Sequence, residues 1–265
     1  MPGCSLRAET FLPDALTEDA MLGGRVRLLQ PLLGYRAGTD PVVLAAAVAA
    51  LPGQSVLELG CGAAPGLCCL GVRVPGLRLS GLELQPGYAD LARRNLAHNG
   101  LNGSIWTGDL GDPPAVMKLQ SFDHVFANPP YFEAGKRIVA EGSDREIALA
   151  GATPLADWVS CAAKRLKPRG YATFIQRAER LPELLSAMSG RLGALELLPL
   201  LPREGRPPRL ILVRGRKDGR AAFRFHAGQV IHRGPHHEEP GSQYTDRFEQ
   251  VMMQGAALVF PAGRA

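Results

Sequence analysis

The stretch from Ser55 to Leu84, SVLELGCGAAPGLCCLGVRVPGLRLSGLEL, decides the fold. Residues 55–59 predict a buried strand, residues 60–66 a glycine-rich turn, and residues 67–72 a short helix. Residues 77–84 predict a second strand, which must be parallel to the first because a helix connects them. In an open sheet of this kind, ligands bind in the crevice beyond the carboxyl ends of the strands.

The alternation of strand and helix continues along the chain. Further strands are predicted at 104–107, 122–127 and 171–176, helices at 88–99, 155–166 and 181–192, and an antiparallel pair of strands at 195–201 and 210–214. We therefore expect an α/β fold, Rossmann-like and doubly wound, with a mostly parallel seven-stranded sheet and an antiparallel edge strand. With 265 residues and 46% hydrophobic content, one large core is expected.

Three segments are expected within this chain. Residues 1–50 predict an N-terminal hairpin, formed by Arg25–Leu29 and Leu32–Tyr35, and a helix that packs on the cofactor site. Residues 51–220 form the Rossmann-like domain, and residues 221–265 form a C-terminal extension of the same domain.

The glycine-rich turn indicates a nucleoside ligand. Gly60 and Gly62 let a ligand approach the backbone where a helix begins, and Glu83 at the end of the second strand suits the two hydroxyls of a ribose. These features do not separate a dinucleotide enzyme from one that uses S-adenosylmethionine, although Pro65 stands where a dinucleotide fingerprint has Gly or Ala. Asp109, after the third strand, either contacts an adenine amino group or caps a turn.

The sequence Asn128-Pro129-Pro130-Tyr131 ends a predicted strand, because two prolines lack the N–H groups that a sheet needs. The corner offers an Asn amide oxygen and a Pro carbonyl, two acceptors that suit a planar –NH2 group. The ring of Tyr131 would stack on the flat group that carries this nitrogen.

Together these motifs carry a resemblance. ELGCG, Glu83, Asp109 and NPPY resemble the amino-methylating branch of class I S-adenosylmethionine-dependent methyltransferases. Residues 23–48, GGRVRLLQPLLGYRAGTDPVVLAAAV, resemble the N-terminal segment of the bacterial tRNA1(Val) adenine-N6 methyltransferase family, which modifies the adenine 3′ to the anticodon. The resemblance implies methyl transfer from S-adenosylmethionine to the exocyclic N6 of an adenine in RNA.

The resemblance also implies site residues, and the charge pattern adds three arginines. The residues expected to bind the cofactor are Thr39, Asp40, Glu58, Gly60, Gly62, Glu83, Asp109 and Asn128. The expected catalytic residues are Asn128, Pro129 and Tyr131, and the expected substrate-binding residues are Pro130, Tyr131, Phe132, Arg203, Arg206 and Arg209.

Positive charge is concentrated in the second half of the chain. Residues 1–150 carry 12 Lys and Arg against 15 Asp and Glu, whereas residues 151–265 carry 18 against 10. Much of the excess lies in residues 202–220, PREGRPPRLILVRGRKDGR. This run is either a solvated rim or an edge that binds the phosphates of a nucleic acid.

Other features narrow the function classes. The five cysteines lack CxxC spacing, and the 232–239 loop, HRGPHHEE, lacks an ordered ligand spacing, so we expect no metal site. No signal peptide and no apolar stretch of membrane-spanning length is predicted, so we expect a cytoplasmic protein that binds no membrane. The resemblance implies RNA, in particular a tRNA, as the partner, and we expect a monomer or weak dimer. Three alternatives remain: N5-glutamine methylation of a release factor, DNA adenine methylation, and a catalytically inactive RNA-binding protein.

Overall fold

The structure is a computed structural model that describes residues 10–131, 153–235 and 243–261. The strands are β1 (Leu16–Met21), β2 (Val26–Pro31), β3 (Ser55–Leu59), β4 (Arg78–Glu83), β5 (Gly103–Thr107), β6 (Phe122–Ala127), β7 (Leu166–Arg177), β8 (Gly193–Leu201), β9 (Leu210–Arg216), β10 (Arg224–Phe225) and β11 (Gln229–Val230). The helices are α1 (Asp40–Ala47), α2 (Pro65–Arg73), α3 (Pro86–His98), α4 (Ala115–Lys118), α5 (Leu155–Arg165), α6 (Leu181–Ser189) and α7 (Asp246–Gln254).

Seven strands form the body of the central sheet, in the order β8-β9-β7-β6-β3-β4-β5. All are parallel except β9, which runs antiparallel to both β7 and β8. The predicted fold class is confirmed, but the antiparallel strand lies one place inside the edge rather than at it. The reason is that β8 and β9 form a hairpin whose second strand inserts beside β7, which leaves β8 outside. The short strands β10 and β11 then pair with β8.

Two hydrophobic cores cover the two faces of the sheet. Adjacent residues of one strand point into different cores: Val56 and Ile175 belong to one, and Leu57 and Phe174 belong to the other. Helices α1, α2, α3 and α7 contribute to the first core, and α5 and α6 contribute to the second. Because both faces are covered, the central strands β3 and β6 are buried along nearly their whole length, as parallel strands usually are.

The N-terminal hairpin differs from its prediction. Val26–Pro31 pairs with Leu16–Met21, and not with residues 32–35 as expected. Strand β1 was not recognised in the sequence because its adjacent charged residues Glu18 and Asp19 interrupt the apolar pattern that marks a strand. One face of this strand is exposed to solvent. Gly23 and its neighbour adopt positive φ angles and make the turn between the two strands. The prediction of a strand at 32–35 was therefore wrong, and these residues form a loop.

The hairpin and the C-terminal helix both pack on the sheet domain. The Asn95 side chain accepts a hydrogen bond from the N–H of Leu29 and donates one to its carbonyl, which ties β2 to α3. Helix α7 packs against α1, and the N–H of Leu258 donates to the carbonyl of Ala46. One core thus includes residues from all three predicted segments. In the ranges that the structure describes, no helix has the length and apolar character needed to cross a membrane.

Candidate active site

A cavity of about 400 Å³ lies at the carboxyl edge of the sheet. Four neighbouring parallel strands each contribute a lining residue at or just beyond their last position: Gly60 after β3, Glu83 in β4, Asp109 after β5 and Asn128 after β6. The fold therefore brings together residues that are separated by as many as 68 positions in sequence. This is the crevice that the strand pattern predicts.

The two glycines of the turn after β3 differ in the space around their Cα atoms. Both have positive φ, 61° for Gly60 and 54° for Gly62. A Cβ atom on Gly60 would lie 2.5 Å from Cη2 of Trp158, so packing excludes a side chain there. A Cβ on Gly62 would meet no atom within 4 Å, which leaves open space beside its backbone for a ligand.

Glu83 is a fixed, buried carboxylate. Its Oε2 accepts a hydrogen bond of 2.8 Å from the N–H of Gly62, and its Oε1 accepts one of 2.9 Å from the N–H of Gln85. Burial raises the pKa of Glu83 above its usual value, although these backbone N–H groups oppose the rise. Each carboxylate oxygen retains a lone pair for a ligand, which suits the two hydroxyls of a ribose.

A second buried carboxylate, Glu58, lines the same cavity. It accepts a hydrogen bond of 2.9 Å from the N–H of Leu67 at the start of α2. Burial raises the pKa of Glu58 well above its usual value, and the nearby charge of Glu83 raises it further, against the opposing effect of that hydrogen bond. A positively charged ligand beside these two carboxyl groups would stabilise their ionised forms.

Asp109 caps a turn, which is one of the two roles expected for it, and it also borders the cavity. It lines the cavity, and its Oδ1 also accepts a hydrogen bond of 2.7 Å from the N–H of Gly111. The turn cap holds the carboxylate at the position where it borders the cavity.

The Asn128–Tyr131 corner lines the cavity with all four of its residues. The hydroxyl of Tyr131 donates a hydrogen bond to Oδ2 of Asp40, at the start of α1. Burial and this carboxylate raise the pKa of Tyr131, so the phenol stays protonated and remains a donor. Asp40 also lines the cavity, whereas its neighbour Thr39 is exposed and does not. Phe132, the remaining residue predicted beside this corner, lies outside the described residues.

The basic run at 202–220 does not form one surface. Strand β9 carries it across the sheet, a distance of roughly 20 Å at about 3.3 Å per residue. Arg206 and Arg209 are exposed in the β8–β9 loop at the carboxyl edge, the edge that holds the cavity. Lys217 and Arg220 follow β9 at the opposite edge.

Arg203 does not fit its predicted role in substrate binding. Its side chain is buried, and its Nη1 donates hydrogen bonds to the backbone carbonyls of Arg233 and Gly234. The guanidinium thus holds a neighbouring loop and presents little surface to a phosphate. An Arg in a charged run gives no sequence signal that distinguishes these two positions.

Several lining residues were not predicted from the sequence: Tyr35, Arg36, Gln85, Tyr88, Leu110, Thr153 and Trp158. Trp158 is buried in the core, and its ring also borders the cavity. The loop that carries Tyr35 reaches the site because its N–H donates to the hydroxyl of Tyr88 on α3. Gln85 and Leu110 could have been predicted as lining residues, because they lie close in sequence to Glu83 and Asp109.

The sequence of this chain is similar to those of known methyltransferases. The family model of the methyltransferase small domain matches residues 38–153. A tRNA1(Val) (adenine(37)-N6)-methyltransferase of Porphyromonas gingivalis is 30% identical over 187 residues, which are 67% of this chain and 72% of that protein. One from Haemophilus influenzae is 29% identical over 147 residues, 53% of this chain and 60% of that protein.

Solved structures share the fold. A predicted O-methyltransferase from Agrobacterium tumefaciens superposes with a TM-score of 0.68 at 23% identity, over 84% of this chain and 99% of that one. The Thermus thermophilus 16S rRNA N2 G1207 methyltransferase, solved with S-adenosylmethionine and guanosine, gives a TM-score of 0.52 at 19% identity, over 76% of this chain and 50% of that one.

The sheet order, the glycine turn and the comparisons define a class I S-adenosylmethionine-dependent methyltransferase. The cavity fits this cofactor, since Gly62 leaves space at the turn, Glu83 offers oriented acceptors, and the two buried carboxylates suit a sulfonium cation. Within this class, the chain belongs to the tRNA1(Val) (adenine(37)-N6)-methyltransferase family. Among the described residues, no group of three or more His, Cys, Asp or Glu side chains is arranged to hold a metal ion.

Proposed function

We propose that this protein transfers a methyl group from S-adenosylmethionine to the exocyclic N6 of an adenine in RNA, and that the substrate is adenine 37 of tRNA1(Val). The observation that carries the proposal is that the Asn128–Tyr131 corner and Glu83 line one cavity. In this proposal, the acceptor site for the planar nitrogen and the cofactor site are adjacent. The curated relatives described above, which carry this activity in their names, support the choice of substrate. A tRNA substrate also implies a cytoplasmic location.

The chemistry of the target determines what the corner must do. An exocyclic adenine nitrogen is a poor nucleophile because its lone pair is delocalised into the ring. In the proposed complex, the amide oxygen of Asn128 and the carbonyl oxygen of Pro129 each accept a hydrogen bond from one of the two N–H groups of this nitrogen. This pulls the nitrogen towards tetrahedral geometry and directs its lone pair at the reacting carbon.

When bound, S-adenosylmethionine supplies an electrophilic methyl group on a positively charged sulfur. The chain's own contribution is to hold the nitrogen in line with that group at near-attack distance. Stacking of the base on Tyr131 contributes about 1–3 kcal/mol and fixes the plane of the ring. Asp40 holds the hydroxyl of Tyr131 and thereby fixes the position of the stacking surface. The methylated nitrogen then loses a proton to water, so no general base is required.

The exposed arginines at the carboxyl edge provide a path for the RNA backbone. Arg206 and Arg209 lie in the loop after β8. Arg177 is the last residue of β7 at the same edge, and its guanidinium carbon lies 5.4 Å from the centroid of the Tyr131 ring. These cations suit the phosphates on either side of a base that has left its stack and entered the cavity. We assign them, without Arg203, to binding of the anticodon arm.

The experiment that tests the function is to incubate the protein with methyl-labelled S-adenosylmethionine and tRNA lacking the modification. Transfer to N6 of adenine 37 in tRNA1(Val), mapped by nuclease digestion and mass spectrometry, is the expected result. Parallel reactions contain total DNA or a release factor. Label in DNA adenine or in a glutamine side chain, and none in tRNA, would overturn the proposal. An absence of transfer to every acceptor would favour an inactive RNA-binding protein.

A further inference from the structure

The two prolines of the acceptor corner have no backbone donors that could hold them in place. Pro129 and Pro130 have no N–H groups, so each offers the surrounding structure only a carbonyl. Pro129 is buried, and its carbonyl is one of the two acceptors assigned to the target nitrogen. The direction of this carbonyl must therefore be fixed by a donor from elsewhere in the fold.

The neighbouring strand supplies that donor. The register of β6 and β7 pairs Ala127 with Phe174, so two residues further along Pro129 lies beside Gln176. Gln176 is fully buried, and its Nε2 donates a hydrogen bond of 3.3 Å to the carbonyl oxygen of Pro129. The other end of the same amide accepts a hydrogen bond of 2.8 Å from the N–H of Arg177. The amide is therefore fixed at both ends.

The residues after Gln176 contact the rest of the corner. Nη1 of Arg180 donates a hydrogen bond of 3.0 Å to the carbonyl of Pro130. Its remaining nitrogens bind the carboxylate of Glu183 at 2.9–3.1 Å, which fixes the orientation of the guanidinium. Arg177 lies over the ring of Tyr131. One short segment, residues 176–180, thus contacts three consecutive residues of the corner.

We infer that Gln176 is a positioning residue for methyl transfer, which holds the Pro129 carbonyl at the angle that the acceptor nitrogen requires, with Arg180 supporting the next carbonyl. A carbonyl oxygen has two lone pairs. Gln176 occupies one and leaves the other for the N–H of the target. Without it, the carbonyl loses the donor that fixes its exact angle, while the cofactor site, built on β3 and β4, remains intact. The inference rests on the proposed function in that the corner holds an amino group.

The first test replaces Gln176 with leucine, which keeps the volume and removes the donor. We expect kcat to fall by about tenfold or more, while KM for the acceptor and Kd for S-adenosylmethionine change by less than about twofold. The matched control is Thr173→Val on the same strand, since Thr173 is buried and is paired with Phe126 and Arg214, outside the corner. The control is expected to keep kcat within about twofold of the wild-type value.

The second test gives a readout that a purely structural role does not produce. In Gln176→Glu the carboxyl group has the same shape and donates to the Pro129 carbonyl only when it is protonated. Burial raises the pKa of such a group, so its protonated fraction increases as the pH is lowered from about 8.5 to about 6. We expect the ratio of the variant's kcat to the wild-type kcat to rise as the pH is lowered over this range. This variant also serves if the leucine variant fails to fold.

Two results would overturn the inference. One is a folded Gln176→Leu protein whose kcat stays within about twofold of the wild-type value. The other is a Gln176→Glu protein whose pH profile runs parallel to that of the wild type. The acceptor of the wild-type protein is first identified by assaying transfer to tRNA, to DNA and to release factor. If the label enters DNA or protein, the proposed function fails, and the Gln176 variants are assayed with that acceptor.

Discussion

In the proposed assignment the site has a cofactor half around Glu58 and Glu83 and an acceptor half at Asn128–Tyr131, and the two halves are held together in different ways. In the cofactor half, Glu83 is fixed by backbone N–H groups 2 and 21 residues away, and Glu58 by one that is 9 residues away. In the acceptor half, the contacts of Pro129, Pro130 and Tyr131 come from residues 47, 50 and 91 positions away. The cofactor half is thus largely a local structure, whereas the acceptor half depends on the order of the strands.

This difference implies that methyl transfer and cofactor binding can be impaired separately. A change in the acceptor half is expected to lower the rate of transfer and leave cofactor binding intact. A change in the cofactor half is expected to do the reverse. The variants below test this separation, in order of decreasing expected effect.

The largest effect is expected from Asn128→Ala. Removing one of the two acceptors for the target nitrogen is expected to lower kcat by about 100-fold or more, as does the loss of one preorganised polar group in other enzymes. Kd for S-adenosylmethionine, measured by calorimetry, is expected to change by less than about twofold. Near-normal turnover, or an equal loss of cofactor affinity, would contradict the separation of the two halves.

Glu83→Ala is the corresponding change in the cofactor half. Loss of a charged hydrogen-bonding group is expected to weaken the binding of S-adenosylmethionine by about 10- to 100-fold. At saturating cofactor, kcat is expected to stay close to the wild-type value. Asp90→Ala, on the same side of the sheet but outside the cavity lining, is the control and is expected to bind normally. An unchanged Kd in Glu83→Ala would remove Glu83 from the cofactor site.

A smaller effect is expected from the double variant Arg206→Ala/Arg209→Ala. The slope of log affinity for tRNA against log salt concentration is expected to become shallower by about 1–2, since two phosphate contacts are lost. The control, Arg191→Ala/Arg220→Ala, removes the same charge from the opposite edge of the sheet. Equal effects in the two double variants would show that only net charge matters.

The smallest effect is expected on stability. The pKa of Glu58 is raised in the folded state, so folding favours its protonated form. This contribution is present at low pH and is lost as the pH rises through the folded-state pKa. In ligand-free protein, we expect Glu58→Gln to raise Tm relative to the wild type by more at about pH 8 than at about pH 5.5, on a scale of about 2–4 °C per kcal/mol. A Tm difference that does not change with pH, measured by calorimetry, would contradict this assignment.

The contrast between the halves also explains how far sequence reasoning reached. The sheet, the glycine turn, Glu83 and the Asn128–Tyr131 corner were found from their own residues, because strand ends in a parallel sheet must meet at one edge. The positions of β1 and Arg203 were not found. A half-exposed edge hairpin carries a weak alternation, and nothing in a run of arginines tells which one turns inward.

Gln176 and Arg180 were missed for a different reason. Each is an ordinary polar residue in QRAER, and its role exists only once β7 lies beside β6 in the observed register. Local pattern therefore predicts which strand-end residues line the cavity. It does not predict which distant residues hold the acceptor corner in place.

The central claim is that this corner holds a planar amino group by both of its hydrogens. The most direct measurement is a crystal structure of the protein with S-adenosylhomocysteine and the unmodified anticodon stem-loop of tRNA1(Val). The account predicts adenine N6 within hydrogen-bond distance of both the Asn128 amide oxygen and the Pro129 carbonyl oxygen, with the base stacked on Tyr131. An adenine seated in the cavity with N6 in contact with neither oxygen would contradict it.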